Sequence, residues 1–232
     1  MIHEAEKLRS SKNIHDPDPR SENLVVVDGP NQLPRSITIE DQYACISQFI
    51  LNQSVPEEIV VHFETAKNLY LYAWHVYRFY PVAEQQTFAT LEFALRLRLH
   101  EYVEQFKKEK RGREPTLHSL IKYAKEAELL KNDLFPSREK WAIQIAKGRF
   151  SAEIHAKMIS EGLIEVIYDD SHITPTEEDL NHDWLSNFID VIPRLRNDLA
   201  HGSNTLRHSV VHTFDVVSSI INQLYHEKIN IA

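Results

Sequence analysis

Phe88-Ala89-Thr90-Leu91-Glu92-Phe93-Ala94-Leu95-Arg96-Leu97-Arg98-Leu99-His100-Glu101-Tyr102-Val103-Glu104-Gln105-Phe106 is the stretch that decides the fold class. Phe88, Leu91, Leu95, Leu99, Tyr102 and Phe106 advance by three or four residues at each step, which places them on one face of an α-helix. The spacing predicts one long helix with a single apolar stripe, and such a stripe must be buried against other elements. Upstream, Ile59, Phe63, Ala66, Tyr70, Ala73 and Tyr77 repeat the pattern. Ser54 is the predicted cap of that helix, and Glu57 and Glu58 complement its dipole. Pro81 separates the two patterns, because it lacks a donor and disfavours helix at the residue before it.

Downstream, residues 117–130 read as a shorter helix after the break at residues 112–115, and residues 138–163 as one or two more. Residues 165–175 read as a loop or small strand insertion. Thr176 then caps a long pattern with Glu177, Glu178 and Asp179 in its first turn, continuing through Leu180, Trp184, Phe188, Ile192, Leu195 and Leu199. Pro193 should kink that helix or divide it, and Gly202 is placed to stop it. A last helix carries Val210, Phe214, Val217, Ile221 and Leu224 on one side. Several amphipathic helices that must bury their stripes against one another predict a mainly α protein built as a helical bundle.

Composition agrees with this reading: 232 residues with 42% hydrophobic content and only five glycines suit one helical domain. Residues 41–232 are assigned to it. Residues 1–40, rich in Asp, Ser, Asn and Pro, are read as an N-terminal arm. Residues 24–27 and 37–39 resemble short strands there, with the turn sequence Asp28-Gly29-Pro30-Asn31 between them. Residues 1–20 lack the apolar run of a secretory signal. Cys45 is the only cysteine, with no intrachain partner and no charged sequence neighbour. Residues 59–80 are interrupted by His62, Glu64, Lys67, Asn68, His75 and Arg78, costly groups in a bilayer. A cytoplasmic protein that does not span a membrane is expected.

A formal charge of −8 argues against a protein that coats nucleic acid through its overall field, but a local basic site is compatible with it. The densest basic run is Lys107-Lys108-Glu109-Lys110-Arg111-Gly112-Arg113. Its simplest explanation is a solvated helix end whose cations favour the C-terminal dipole; phosphate contact is the competing one.

The residues with the clearest chemical content are Arg196-Asn197-Asp198-Leu199-Ala200-His201-Gly202, at the predicted end of a helix. Asn197 and His201 share a face of a straight helix, whereas Arg196 and His201 differ by about 140°. Their convergence requires the Pro193 distortion, unwinding before Gly202, or a second copy of the chain. The structural alternative is that Arg196 pairs with a carboxylate, Asn197 faces water and His201 caps the helix.

Arg-Asn followed by three residues and His resembles the Arg-x4-6-His motif of the HEPN superfamily. Phe88-Ala89-Thr90-Leu91-Glu92-Phe93-Ala94-Leu95-Arg96 resembles its early core helix, and Thr116-Leu117-His118-Ser119-Leu120-Ile121-Lys122-Tyr123-Ala124 a middle segment of some members. The similarity extends over residues 56–226 and is weakest over residues 140–175, read as a variable insertion before the motif helix. The resemblance implies a helical bundle that dimerises around a shared cleft, and a metal-independent endoribonuclease of toxin, abortive-infection or defence type. It implies catalytic roles for Arg196 and His201 and a supporting one for Asn197, with RNA as substrate and an antitoxin or defence-system protein as a further partner. Where some members carry a modifiable tyrosine two residues after the histidine, this chain has Ser203, so that mode of control is not expected.

Glu92 lies one helical turn before Arg96; a local salt bridge explains it, and it is not assigned to the site. His208 and His212 have the spacing of two imidazoles on one ion, but no third ligand and no zinc-protease glutamate accompany them. No metal and no cofactor are assigned. No Gly-rich phosphate loop follows a strand, and no serine-hydrolase elbow is present. The competing functional class is a non-catalytic helical module that binds RNA or nucleotide, or serves as a partner protein in a defence complex.

Overall fold

A computed structural model describes residues 4–29, 32–202 and 206–226. Among these the chain is mainly helical: α1 (Ile39–Ser47), α2 (Glu57–Tyr72), α3 (Phe79–Arg98), α4 (His100–Glu109), α5 (Leu117–Glu126), α6 (Arg138–Glu161), α7 (Glu177–Leu180), α8 (Trp184–Ala200) and α9 (Val211–Leu224). The described strands are β1 (Val25–Val26) and β2 (Arg35–Ser36), paired antiparallel with Val25 opposite Ser36. The second strand therefore ends before residue 37, because Thr38 is already the N-cap of α1. Its hydroxyl accepts from Asp41 N–H while the Asp41 carboxylate accepts from Thr38 N–H. Two residues of the proposed turn, Pro30 and Asn31, lie outside the described residues.

The architecture is organised around α3, which packs against α2, α9, α8 and α5. Its buried Tyr80, Ala83, Phe88, Leu91, Ala94 and Leu95 meet Ile59, Phe63, Ala66 and Tyr70 of α2 and Phe214, Val217, Ile220, Ile221 and Leu224 of α9. The Phe214 ring lies 5.8 Å from that of Phe63 and 5.9 Å from that of Tyr70, both edge to face. The helix of residues 88–106 is not continuous: it breaks at Leu99, where φ is −105° and ψ 29°. The break redirects α4 so that Val103 is buried and Tyr102 stacks on Tyr123 of α5 at 3.8 Å. Similarly, α2 stops at Tyr72 instead of running to Tyr77. The buried Gln42 amide donates to the Tyr70 and Leu71 carbonyls, and Tyr80 Oη donates to Gln42 Oε1. Pro56, not Ser54, is the N-cap of α2 and makes no side-chain cap bond.

The arm is fastened to the α2–α3 turn by a fully buried carboxylate. Asp18 accepts from Arg20 Nε at 2.8 Å and from Tyr77 N–H at 3.1 Å, and its own N–H donates to the Trp74 carbonyl at 2.8 Å. Burial alone would raise the Asp18 carboxyl, but the bonds from Arg20 and Tyr77 outweigh it and hold the group below the usual carboxylate range.

One pattern predicted as a single helix is two. Thr176 and Asp179 form a capping box on α7, which ends at Leu180, and α8 starts afresh after Asp183. The reason is tertiary. Asp183 caps Ser186 N–H while Lys125 of α5 and Asn132 both donate to its carboxylate, fixing a new helix start. Asp179 is drawn to Arg149 of α6 by a two-pronged ion pair at 2.9 and 2.7 Å. The loop of residues 162–176 has no strand, and α6 ends at Gly162, which adopts φ 65° in the left-handed region.

Pro193 does not divide α8, which is continuous from Trp184 to Ala200. A proline at this position cannot donate to the Ile189 carbonyl one turn earlier. His118 of α5 faces that freed acceptor, with Nδ1 3.2 Å from Ile189 O. The missing helical bond is thus replaced by a bond between helices. Replacing His118 by leucine is expected to cost about 1 kcal/mol in chemical denaturation, the net worth of one such bond. In a Pro193→Ala background, where the helix supplies its own donor, the same change should cost measurably less; equal costs in the two backgrounds would show that the two residues are uncoupled.

Candidate functional site

The Arg196–His201 run occupies the last turn of α8. Leu195 and Leu199 pack partly buried on the core, which turns Asn197 and Asp198 to solvent and leaves Arg196 half-buried beside α3. His201 is the C-cap: its backbone N–H donates to the Asn197 carbonyl at 2.9 Å, and Gly202 follows with φ 86°, a conformation that costs glycine little.

The side chains converge only in part. Arg196 Nη1 approaches Asn197 Oδ1 at 3.4 Å, and Arg196 Nη2 donates to Glu92 Oε2 of α3 at 3.0 Å. His201 is exposed, and its ring makes no hydrogen bond or ring contact with another described residue. Within one chain, therefore, Arg196 and Asn197 come together and His201 stands apart at the helix end. Ser203 lies outside the described residues.

Glu92 belongs beside these residues, although sequence reasoning alone does not assign it to the site. The local salt bridge to Arg96 exists, with Nη2 2.9 Å from Glu92 Oε1, but the second carboxylate oxygen holds Arg196. The Glu92–Arg96 spacing is visible in sequence. The partner one hundred and four residues away is not, because it depends on how α3 and α8 pack. Arg96 also contacts Glu114 at 2.7 Å, and Glu114 contacts Lys107 at 3.0 Å, so a chain of alternating charges leads from Arg196 to the start of the basic run.

The two histidines with metal-ligand spacing are used separately. His208 precedes α9, so the helical register that would pair it with His212 is not realised; its Nδ1 lies 3.2 Å from Tyr77 Oη. His212 packs edge to face on Trp141 at 5.6 Å. Among the described residues, no three His, Cys, Asp or Glu side chains gather closely enough to hold a metal ion. A concavity of about 450 Å³ lies elsewhere, lined by Lys125, Lys131, Arg138, His182 and Trp184. No described helix is long and apolar enough to cross a membrane.

Comparison of the chain with protein-family models, with curated proteins and with solved structures found no match.

Burial lowers the His212 pKa below the ordinary histidine value. The unfolded chain, with a histidine near pKa ~6.5, then takes up the proton first. The contribution of neutral His212 to stability should be complete above about pH 6.5 and decline as the pH falls from there to the folded-state pKa. Denaturation of the native chain and of His212→Leu across this range checks it: the variant should lose the slope that His212 supplies.

Proposed function

We propose that the chain is a metal-independent endoribonuclease of the HEPN type, acting in a toxin, abortive-infection or defence setting. The observation that carries the proposal is that Arg196, held by Glu92 and adjacent to Asn197, lies in the last turn of a helix that ends on an exposed histidine. Arginine offers a planar fork that matches phosphoryl oxygens, and one edge of Arg196 is steadied by a carboxylate on a neighbouring helix. Histidine exchanges protons near neutrality. In the reaction, the 2′-oxygen of RNA attacks the adjacent phosphorus as its proton passes to a base, and the P–O5′ bond breaks as that oxygen gains a proton. Arg196 stabilises the charge that develops on the phosphoryl oxygens. Asn197 supports the site by hydrogen bonding to the phosphate or the imidazole.

Separation of the Arg196 and His201 side chains within one chain supports a working form with two copies, in which two α8 ends face each other and two histidines supply base and acid. Sedimentation should show a dimer at micromolar concentration; a monomer that retains full activity would remove the shared cleft from the mechanism. The reading of a non-catalytic RNA-binding module draws on one specific observation, the neutralisation of Arg196 by Glu92.

The assay that separates the two readings is cleavage of single-stranded RNA in EDTA. The native chain should leave 2′,3′-cyclic phosphate and 5′-hydroxyl ends, and neither DNA nor RNA blocked at the 2′-oxygen should be cut. His201→Ala should lower the rate by about 10²- to 10⁴-fold, and Arg196→Lys should lose much of the rate while keeping the charge. Glu92→Gln should lower the rate while costing under about 1 kcal/mol of stability, since Arg196 is partly exposed and the pair is solvent-screened. Cleavage by His201→Ala at the native rate would place the chemistry elsewhere, and absence of cleavage by folded, inhibitor-free protein would leave the binding module.

A further inference from the structure

We infer that residues 107–113 form a phosphate-backbone subsite for single-stranded RNA, continuous with the Arg196 end of α8. The choice of RNA as the anion rests on the ribonuclease reading above; the geometry of the subsite does not.

The segment carries five cations and one acid in seven residues of a chain whose formal charge is −8. Lys107 is engaged by Glu104 and Glu114, and Glu109 accepts from Gln105. Lys108, Lys110, Arg111 and Arg113 are exposed and pair with no acid among the described residues. The helix dipole accounts for cations in the last turn of α4, Lys107 and Lys108. It does not account for Arg111 and Arg113, which lie beyond the helix end. There the backbone turns sharply: Arg111 adopts φ 53° and Gly112 φ 82°, and Gly112 N–H returns to the Lys107 carbonyl at 2.8 Å. The turn gathers like charges that repel one another, a cost that a polyanion would offset.

Position makes the polyanion specific. Arg196 contacts Glu92, Glu92 contacts Arg96, Arg96 contacts Glu114 and Glu114 contacts Lys107, each at 3.0 Å or less. This relay ties the basic turn to the proposed scissile position through side chains in direct contact. A strand whose phosphate is held at Arg196 would reach this turn by following the line of paired side chains, a course that the flexible backbone of single-stranded RNA allows. A membrane surface fits less well, because the segment offers no apolar side chain to enter the interface.

The test compares the His201→Ala chain, which keeps the strand whole, with the same chain also carrying Lys108→Gln, Lys110→Gln, Arg111→Gln and Arg113→Gln. A control removes equal charge elsewhere through Lys12→Gln, Lys122→Gln, Lys140→Gln and Lys157→Gln. Binding of fluorescent single-stranded RNA is followed by anisotropy over a range of salt, with circular dichroism and melting to confirm the fold. The turn variant should bind at least about tenfold more weakly at low salt, and its plot of log affinity against log salt should flatten by about 0.7 for each phosphate that the turn no longer neutralises. The control should stay close to the parent.

Equal affinity and slope in the turn variant and its parent, or an equal weakening in the control, overturn the subsite. Loss of binding to phosphatidylglycerol vesicles with RNA binding unchanged overturns it in favour of a membrane. Cleavage by the chain with His201 intact is read separately. RNA cut while the four cations prove irrelevant to binding removes the subsite and keeps the ribonuclease. RNA bound through the four cations but never cut keeps the subsite and removes the ribonuclease.

Discussion

A helix packed against four others has little room for an unpaired charge on the faces it turns toward them. That constraint acts on α3, which carries Glu84 and Glu92 toward α8, α9 and the loop between them. Glu84 is 4% exposed and is satisfied by the Thr213 hydroxyl at 2.8 Å and by Arg207. Glu92 is satisfied by Arg96 from its own helix and by Arg196 from α8. Both carboxylates take partners from the last third of the chain, so the burial of α3 and the placement of the motif helix are linked. The apolar stripes supply the driving force for packing, while Glu84 ties α3 to α9 and the loop before it and Glu92 adds a part-exposed contact to α8.

The same linkage shapes the candidate site. Arg196 on an isolated helix would sample many rotamers; one edge of its guanidinium is instead held against α3 by the Glu92 carboxylate. Pro193 contributes from below. By removing one helical donor it frees the Ile189 carbonyl for His118, and it ties α8 to α5 about two turns before Arg196. At the start of α8, Asp183 gathers Lys125, Asn132 and Ser186. The helix that carries Arg196 is therefore held by polar contacts at its start, at Ile189 and at Arg196, and along its first half by the buried Leu185, Phe188, Ile189 and Ile192. His201 is exposed at the helix end.

Where local pattern and structure disagree, a distant partner explains the difference. The apolar spacing from Leu180 to Leu199 is continuous in sequence, yet the chain breaks between α7 and α8 because Asp179 is drawn to Arg149 and Asp183 to Lys125. The stripe from Phe88 to Phe106 breaks at Leu99 so that Tyr102 can stack on Tyr123. The predicted cap at Ser54 is not used, and α2 ends at Tyr72, where the Gln42 amide of α1 joins the backbone N–H groups on the Tyr70 and Leu71 carbonyls. Each is a choice among locally acceptable conformations, made by a contact that spacing and propensity do not contain.

Periodicity and side-chain chemistry are local properties, and they suffice for the helical class and the apolar faces; Arg196, Asn197 and His201 become candidates only with the resemblance of their run to a known motif. The Glu92–Arg96 pair is legible in the same way, one turn apart on a single helix. Other features exist only once the helices are packed: Glu92 reaches Arg196, His118 answers the carbonyl freed by Pro193, and the charge relay arrives at the basic turn. Packing likewise sends His208 and His212 to different neighbours. Those outcomes depend on which helix faces lie a hydrogen bond apart, a distance set by the fit of whole stripes and invisible in any short run of residues.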